Sequence, residues 1–331
     1  MTAPREPVLL PSNRPADRFY RGGRRITDLR GDDPAAEHEP EDWVASTTHV
    51  FGRPGLGETV LPDGRRLVEA IAADPVGWLG ETHAARWGAD AMLLTKLLDA
   101  GQRLPVHAHP DGAFAQQHLG HVHGKTEAWV VLTAGTVHLG LREDVAPERL
   151  RALVDDQRTT ELLELLHAVE VRPGDAVLVP AGQLHAIGEG VLLLEVQEPE
   201  DLSILLEWSG FALDGAADGH LGLGFDRALG AVAHEAMSRQ RLAGLVVRGR
   251  SDGPVLPEEA APFFRVERLR PAGTGPRIGG YCVLLVEEGP IVLGGHALAR
   301  GATAVLPAAA GELPVEGDGV LLVCRPPDPS A

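Results

Sequence analysis

The chain has 331 residues, 44% hydrophobic and 23% charged, the balance of a soluble globular protein large enough to bury one or two cores. Thirty Lys and Arg against forty-seven Asp and Glu give a formal charge of −17, which argues against nucleic acid or an anionic membrane as partner, because either needs a basic surface. The longest apolar runs, such as VLLLEV at 191–196, are too short to span a bilayer, and the N-terminus shows no apolar stretch behind a basic one, so the expected location is cytoplasmic.

Residues 1–50 read as irregular with short strands, and the acidic patch at 31–42 as a solvated loop. Apolar positions at helical spacing follow over 65–88, broken by Pro75. From 91 the text changes to strands: MLLTKLLDA, RLPVHAH, EAWVVLTAG and TVHLGLR. Residues 146–168 predict one or two helices, since Leu150, Leu153, Leu162, Leu163, Leu165 and Leu166 leave polar faces between them. Strands resume with VEVRPGDAVLVPAG and GVLLLEVQE, a second helical patch covers 223–240, and 262–326 is again strand and turn. Forty glycines and twenty-six prolines fall between these short Val, Leu and Ile runs, the texture of a mainly β protein. Cys282 and Cys324 have no C-x-x-C spacing and read as buried reduced thiols. The phrase GDAVLVPAG at 174–182 has a faint echo in GATAVLPAA at 301–309, suggesting two β halves related by an internal repeat. The second half holds only His296, so it is expected to carry no metal.

His107 and His109 stand two residues apart, which on a strand puts both imidazoles on one face. Gly101 precedes His107 by five intervening residues, and Glu127 follows on the next strand. Later, Gly174 is followed by five residues, then Pro180, Ala181 and Gly182, two more residues, and His185. Both halves of this pattern, in order, match the cupin signature. They predict a divalent metal held by His107, His109, Glu127 and His185, for which zinc, iron, manganese or nickel would all suit. His121 and His123, bracketed by Gly120 and Gly124, read instead as a solvated loop at the pocket mouth. Lys125, Glu127 and Trp129 alternate onto one face, so Lys125 is expected beside the metal. Leu193, Glu195 and Gln197 form a second inward row, and a carboxylate inside LLLEVQ must act as ligand, hydrogen-bond partner or acid/base.

The strings MLLTKLLDAGQRLPVHAHPDG, GKTEAWVVL and VRPGDAVLVPAGQLHAIGEGVLLLEVQEPED, with RFYRGG and EDWVAS near the start, resemble the class I mannose-6-phosphate isomerases in order and spacing over nearly the whole chain. That resemblance implies a mainly β double cupin of jelly-roll barrels with helical insertions and a second barrel without metal ligands. Its expected parts are an N-terminal segment 1–90 packing on the barrels, a metal-binding barrel 91–210 with the insertion 146–168, a helical linker 211–245 and a degenerate barrel 246–331. It implies a zinc-dependent isomerase interconverting mannose 6-phosphate and fructose 6-phosphate through a cis-enediol. The family's zinc ligands fall on His107, His109, Glu127 and His185, a proton-transfer carboxylate on Glu195, the active-site lysine on Lys125 and a further acid on Asp201. Three positions depart from the family pattern: His107 stands for a glutamine, Pro105 for a serine and Leu205 for an arginine, the last two being anion contacts. Arg103 or Arg86 is the expected replacement. An unphosphorylated or modified sugar, a metal-bound sugar-binding cupin without turnover, and a cupin dioxygenase are the alternatives. The partner is in each of the sugar readings a small-molecule sugar or sugar phosphate, with oligomeric state left open.

Overall fold

The computed structural model describes residues 2–271 and 275–331. Its strands form four antiparallel sheets, two in each half of the chain. In the first half, a six-stranded sheet runs in the order Val246–Val247, Ala176–Val179, Glu127–Val131, Leu192–Gln197, Leu94–Asp99 and Glu41–Val44. A five-stranded sheet runs in the order Ile204–Leu205, His107–Ala108, His185–Ile187, Gly135–Leu141 and Leu166–Val171. The second half, with the N-terminal strand Val8–Leu10 added at one edge, forms a six-stranded sheet in the order Val8–Leu10, Thr303–Leu306, Cys282–Glu288, Val320–Arg325, Arg265–Leu269 and Gly253–Pro254, and a four-stranded one of Arg277–Ile278, Leu313–Gly317, Ile291–Leu293 and His296–Leu298.

The central strands of the first six-stranded sheet are buried from end to end. That explains why they read as near-continuous apolar runs. One face packs Leu97, Val130, Leu178, Leu194 and Val196 into the main apolar cluster. The opposite face must also be covered, and it carries the polar side chains of the site. Both cysteines are free and buried, as expected. No helix among the described residues is long and apolar enough to cross a membrane.

Three expectations are corrected, each in part. The acidic stretch 31–42 faces solvent over 31–37 but turns inward at its end: Glu41 and Asp42 are buried in the Glu41–Val44 strand, where Arg30 lies 3.3 Å from Asp42. The N-terminal segment contributes edge strands to both six-stranded sheets: Val8–Leu10 pairs with Thr303–Leu306 and Glu41–Val44 pairs with Leu94–Asp99. The 146–168 insertion forms helices Pro147–Asp155 and Thr159–Glu164, but Leu166–Val171 is already a strand, in which His167, Val169 and Val171 point inward while Ala168 and Glu170 face out. The 223–240 helix is broken into Phe225–Ala228, a single 3-10 turn at Leu229–Ala231 and a later helix Arg239–Gly244, as Val232 leaves the helical region at φ −97° and ψ 136°. The following Val246–Val247 strand pairs with Ala176–Val179 of the first half's sheet.

Candidate metal centre and active site

Strand register builds the site. His107 is directly opposite His185 in the five-stranded sheet, and their ring centroids lie 4.0 Å apart. His109 follows two residues later, and its ring lies 4.8 Å from that of His185. Gly182 helps to place this turn: its φ of +85° is a conformation that suits glycine, and its N–H donates to the His109 carbonyl at 2.7 Å. Gly101 answers to a close backbone approach, since a Cβ there would meet the Gly22 carbonyl oxygen.

Each imidazole is turned the same way. His107 Nδ1 donates to the Pro105 carbonyl at 2.8 Å, His109 Nδ1 to that of Leu202 at 2.8 Å, and His185 Nδ1 to that of Gln183 at 2.9 Å. With Nδ1 protonated, the Nε2 lone pairs are left to face the interior. Burial pushes all three pKa values down, His107 well below its usual range and His109 and His185 to about 3, so the rings are neutral and able to ligate. The three histidines bring one nitrogen each to within 4.8 Å of one another.

Glu127 reaches this trio from the other sheet, with Oε2 3.1 Å from His109 Nε2 and Oε1 3.4 Å from His185 Nε2. These are not ion pairs, because the rings are neutral. Lone pair faces carboxylate oxygen, and His185 Nε2 is buried without a hydrogen-bond partner. An orphaned buried acceptor next to an acceptor is costly unless a cation resolves it, so the residues fit a metal ion. The Lys125 ammonium, itself buried, donates to Glu127 Oε2 at 2.7 Å and to His109 Nε2 at 2.8 Å, and Trp129 Nε1 donates to Glu127 Oε1 at 2.9 Å. Burial raises the Glu127 pKa, yet Lys125 and then His109 outweigh it and hold the group well below the usual carboxylate range.

The register of the six-stranded sheet sets Glu195 between Trp129 and Lys96, and Gln197 opposite Glu127, all on one face. Glu195 is buried, and that burial, reinforced by Glu127, lifts its pKa to about 7 against the pull of Lys125 and Lys96. Lys96 Nζ lies 3.6 Å from each of three carboxylates, those of Glu41, Glu195 and Asp201. Arg18 adds contacts to Glu41 at 3.2 Å and Asp201 at 3.3 Å. Burial raises the pKa of both acids, but Arg18 and Lys96 more than compensate, taking Glu41 down to about 2 and Asp201 below its ordinary value. Tyr20 and Trp43 close the shell by donating to Glu41 at 2.7 Å and 2.6 Å.

The structure thus brings together His107, His109, Glu127, His185, Lys125, Glu195 and Asp201. It adds Lys96, Arg18 and Glu41, which sequence reasoning missed. A lysine inside the apolar LLTKLL run is the same signal that singled out Glu195, and it could have found Lys96. Neither arginine offered as an anion contact serves: Arg103 is engaged with Glu207 at 2.9 Å, and Arg86 donates to the carbonyls of Pro329 and Ala331. His121 and His123 lie in a partly exposed loop, and each is paired with an acid, Glu200 at 2.8 Å and Asp90 at 2.6 Å. They line a cavity of about 380 Å³ that borders Asp201 on one side. A second cavity, of about 460 Å³, borders Asp201 with Arg18, Ser203 and Leu205 in its wall.

No family model matches the chain. A mannose-6-phosphate isomerase of Streptococcus mutans is 33% identical over 186 residues, 54% of each chain, and one of Bacillus subtilis is 38% identical over 117 residues, 34% of this chain and 36% of its own. The matched region thus spans about half or less of the length of these curated relatives. Solved structures match far more of the chain. The mannose 6-phosphate isomerase of Bacillus subtilis covers 96% of it and 99% of its own length at TM-score 0.66 and 21% identity. A mutant phosphomannose isomerase of Salmonella typhimurium covers 97% and 100% at TM-score 0.74 and 18% identity. The chain is thus similar in sequence over about half its length to mannose-6-phosphate isomerases, and similar in fold over nearly all of it to solved structures of that name.

Proposed function

We propose that the chain is a metal-dependent aldose–ketose isomerase of the mannose-6-phosphate isomerase type, converting mannose 6-phosphate to fructose 6-phosphate through a cis-enediol. The observation that carries this reading is a neutral three-histidine set with Glu127, one register step from a buried carboxylate poised near neutrality, Glu195. His107, His109, Glu127 and His185 would hold the ion, zinc in the first instance. When bound, it supplies a Lewis acid for the sugar's oxygens. Glu195 takes the proton from C2 and returns it to C1, a task for a base whose pKa lies near the working pH. Lys125 donates to the oxygen on which charge develops, and its 2.7 Å bond to Glu127 fixes its position. Asp201 touches Lys96 and Arg18 and so sets the field around Glu195.

The arrangement of two sheet pairs supports a double cupin with the metal in the barrel of residues 91–210 and a degenerate barrel over 246–331. His296 supports the second assignment, since it is half-exposed and lies 3.5 Å from Glu6. The aliphatic Leu205 in the cavity wall favours one second reading, an isomerase or epimerase of an unphosphorylated sugar.

The test is solvent deuterium exchange followed by NMR. Exchange into C1 of fructose 6-phosphate or C2 of mannose 6-phosphate is expected from the metal-loaded protein. Glu195→Gln should abolish it with metal content unchanged. No exchange by fully loaded wild-type protein into either phosphate or free sugar would refute isomerisation.

A further inference from the structure

A sugar phosphate brings a dianion to the mouth of this site, and some cation must meet it. Among the described residues lining the two cavities that border Asp201 there is no lysine, and the arginines are Arg18 and Arg53. Arg18 is committed. Its side chain is 10% exposed and is bonded to two buried acids, Glu41 and Asp201. Arg53 is free by comparison: 44% of its side chain is exposed, and its partners are the Ala16 carbonyl at 3.2 Å and Asp17, 80% exposed, at 3.3 Å. An exposed pair of this kind is weak and readily exchanged.

The loop that carries Arg53 is docked on the site. Phe51 donates its N–H to Asp201 Oδ2 at 3.3 Å, and Arg53 N–H closes a turn onto the Val50 carbonyl at 2.8 Å. Arg53 therefore stands two residues along the chain from Phe51, whose N–H holds the acid that Lys96 and Arg18 both contact. The cavity it lines has about 460 Å³, within the ~300–1,000 Å³ typical of small-ligand sites. Asp17 and Asp218 share that lining and oppose an anion, which makes the Arg53–Asp17 contact the one that must open.

We infer that Arg53 is the phosphate-binding residue of this chain, exchanging Asp17 for the substrate's phosphate at the mouth of the cavity beside Asp201. The inference rests on the isomerase reading for its substrate, but not for its test. A bidentate guanidinium contact to phosphate is strong and geometrically specific, and lysine does not reproduce it.

Isothermal calorimetry with inorganic phosphate is compared between wild type, Arg53→Gln and Asp17→Asn, and steady-state kinetics with mannose 6-phosphate are run in parallel. Arg53→Gln is expected to weaken phosphate binding and raise KM about tenfold or more, with kcat falling less than KM rises. Asp17→Asn, which frees Arg53 and removes a repelling charge, is expected to tighten phosphate binding by about twofold or more. Folding of each variant is checked by its thermal midpoint. Phosphate binding equal in wild type and Arg53→Gln, or absent from wild type, overturns the inference even if the enzyme is active. Wild type that binds phosphate through Arg53 but never turns over a sugar phosphate leaves the inference standing and overturns the isomerase reading.

Discussion

Lys96→Met is the most demanding probe of the buried charge network. Lys96 Nζ stands 3.6 Å from Glu41, Glu195 and Asp201, and its side chain is 3% exposed. At an effective dielectric of ~20 each contact amounts to about 4–5 kcal/mol of attraction, set against the lost hydration of the ammonium. Removing one partner from such a cluster typically costs about 3–5 kcal/mol, a large share of the ~5–15 kcal/mol that holds a domain folded. Methionine keeps the stem and its packing near the Trp43 ring, whose centroid lies 4.4 Å from Nζ, so the loss reports the charge. Arg18 still serves Glu41 and Asp201, but Glu195 loses its nearest cation. Its pKa, already about 7, rises further. A folded-state pKa above the unfolded carboxylate value of ~4.3 means that the native state binds the extra proton, so the penalty is absent at low pH and grows as pH climbs through the folded value. Urea unfolding at pH 6 and pH 9 should therefore show a larger loss at pH 9, and Lys96→Met with Glu195→Gln should recover at least about 1 kcal/mol there. A loss below about 1 kcal/mol at pH 9, equal at both pH values, would refute the network's role.

Three further outcomes follow from the same geometry. Glu41→Gln should destabilise the protein at pH 6 and much less near pH 3: a carboxylate held down to about 2 contributes stability that is complete above the unfolded value and lost as pH falls towards 2, which acid titration of both proteins would show. His185→Ala should remove the bound metal, read by elemental analysis, and with it the metal-dependent rise in thermal midpoint; retained stoichiometry would exclude His185 as a ligand. Trp129→Phe keeps the ring but removes the N–H that Glu127 accepts at 2.9 Å, and should weaken metal affinity by about ten-fold or more, measured by competition with a chelating dye.

The three-histidine group is legible in the sequence because its information is local. Two histidines at strand spacing and the Gly174 to His185 phrase need no tertiary knowledge, and the strands formed where the apolar runs stood. Glu195 and Lys125 were legible by alternation, since a charge inside an apolar run has to be answered somewhere. What answers it comes from afar. Arg18 meets Asp201 across 183 residues of sequence, and Glu41 is the penultimate residue of an acidic patch whose composition signals solvent. Only the pairing of Glu41–Val44 with Leu94–Asp99 carries that acid into the interior. The broken helix at 223–240 failed for a related reason: its apolar residues pack on two different surfaces, Phe225 and Leu229 against Trp208 and its neighbours and Met237 in the main cluster, so no single helix face could serve both.

The central claim is that turnover depends on an ion held by His107, His109, Glu127 and His185. Conversion of mannose 6-phosphate to fructose 6-phosphate would be measured for protein stripped by a chelator and then reloaded with one equivalent of zinc. Activity lost on stripping and restored in proportion to zinc bound is the expected result. Equal activity in stripped and reloaded protein, or none in protein shown to carry one zinc per chain, would contradict it.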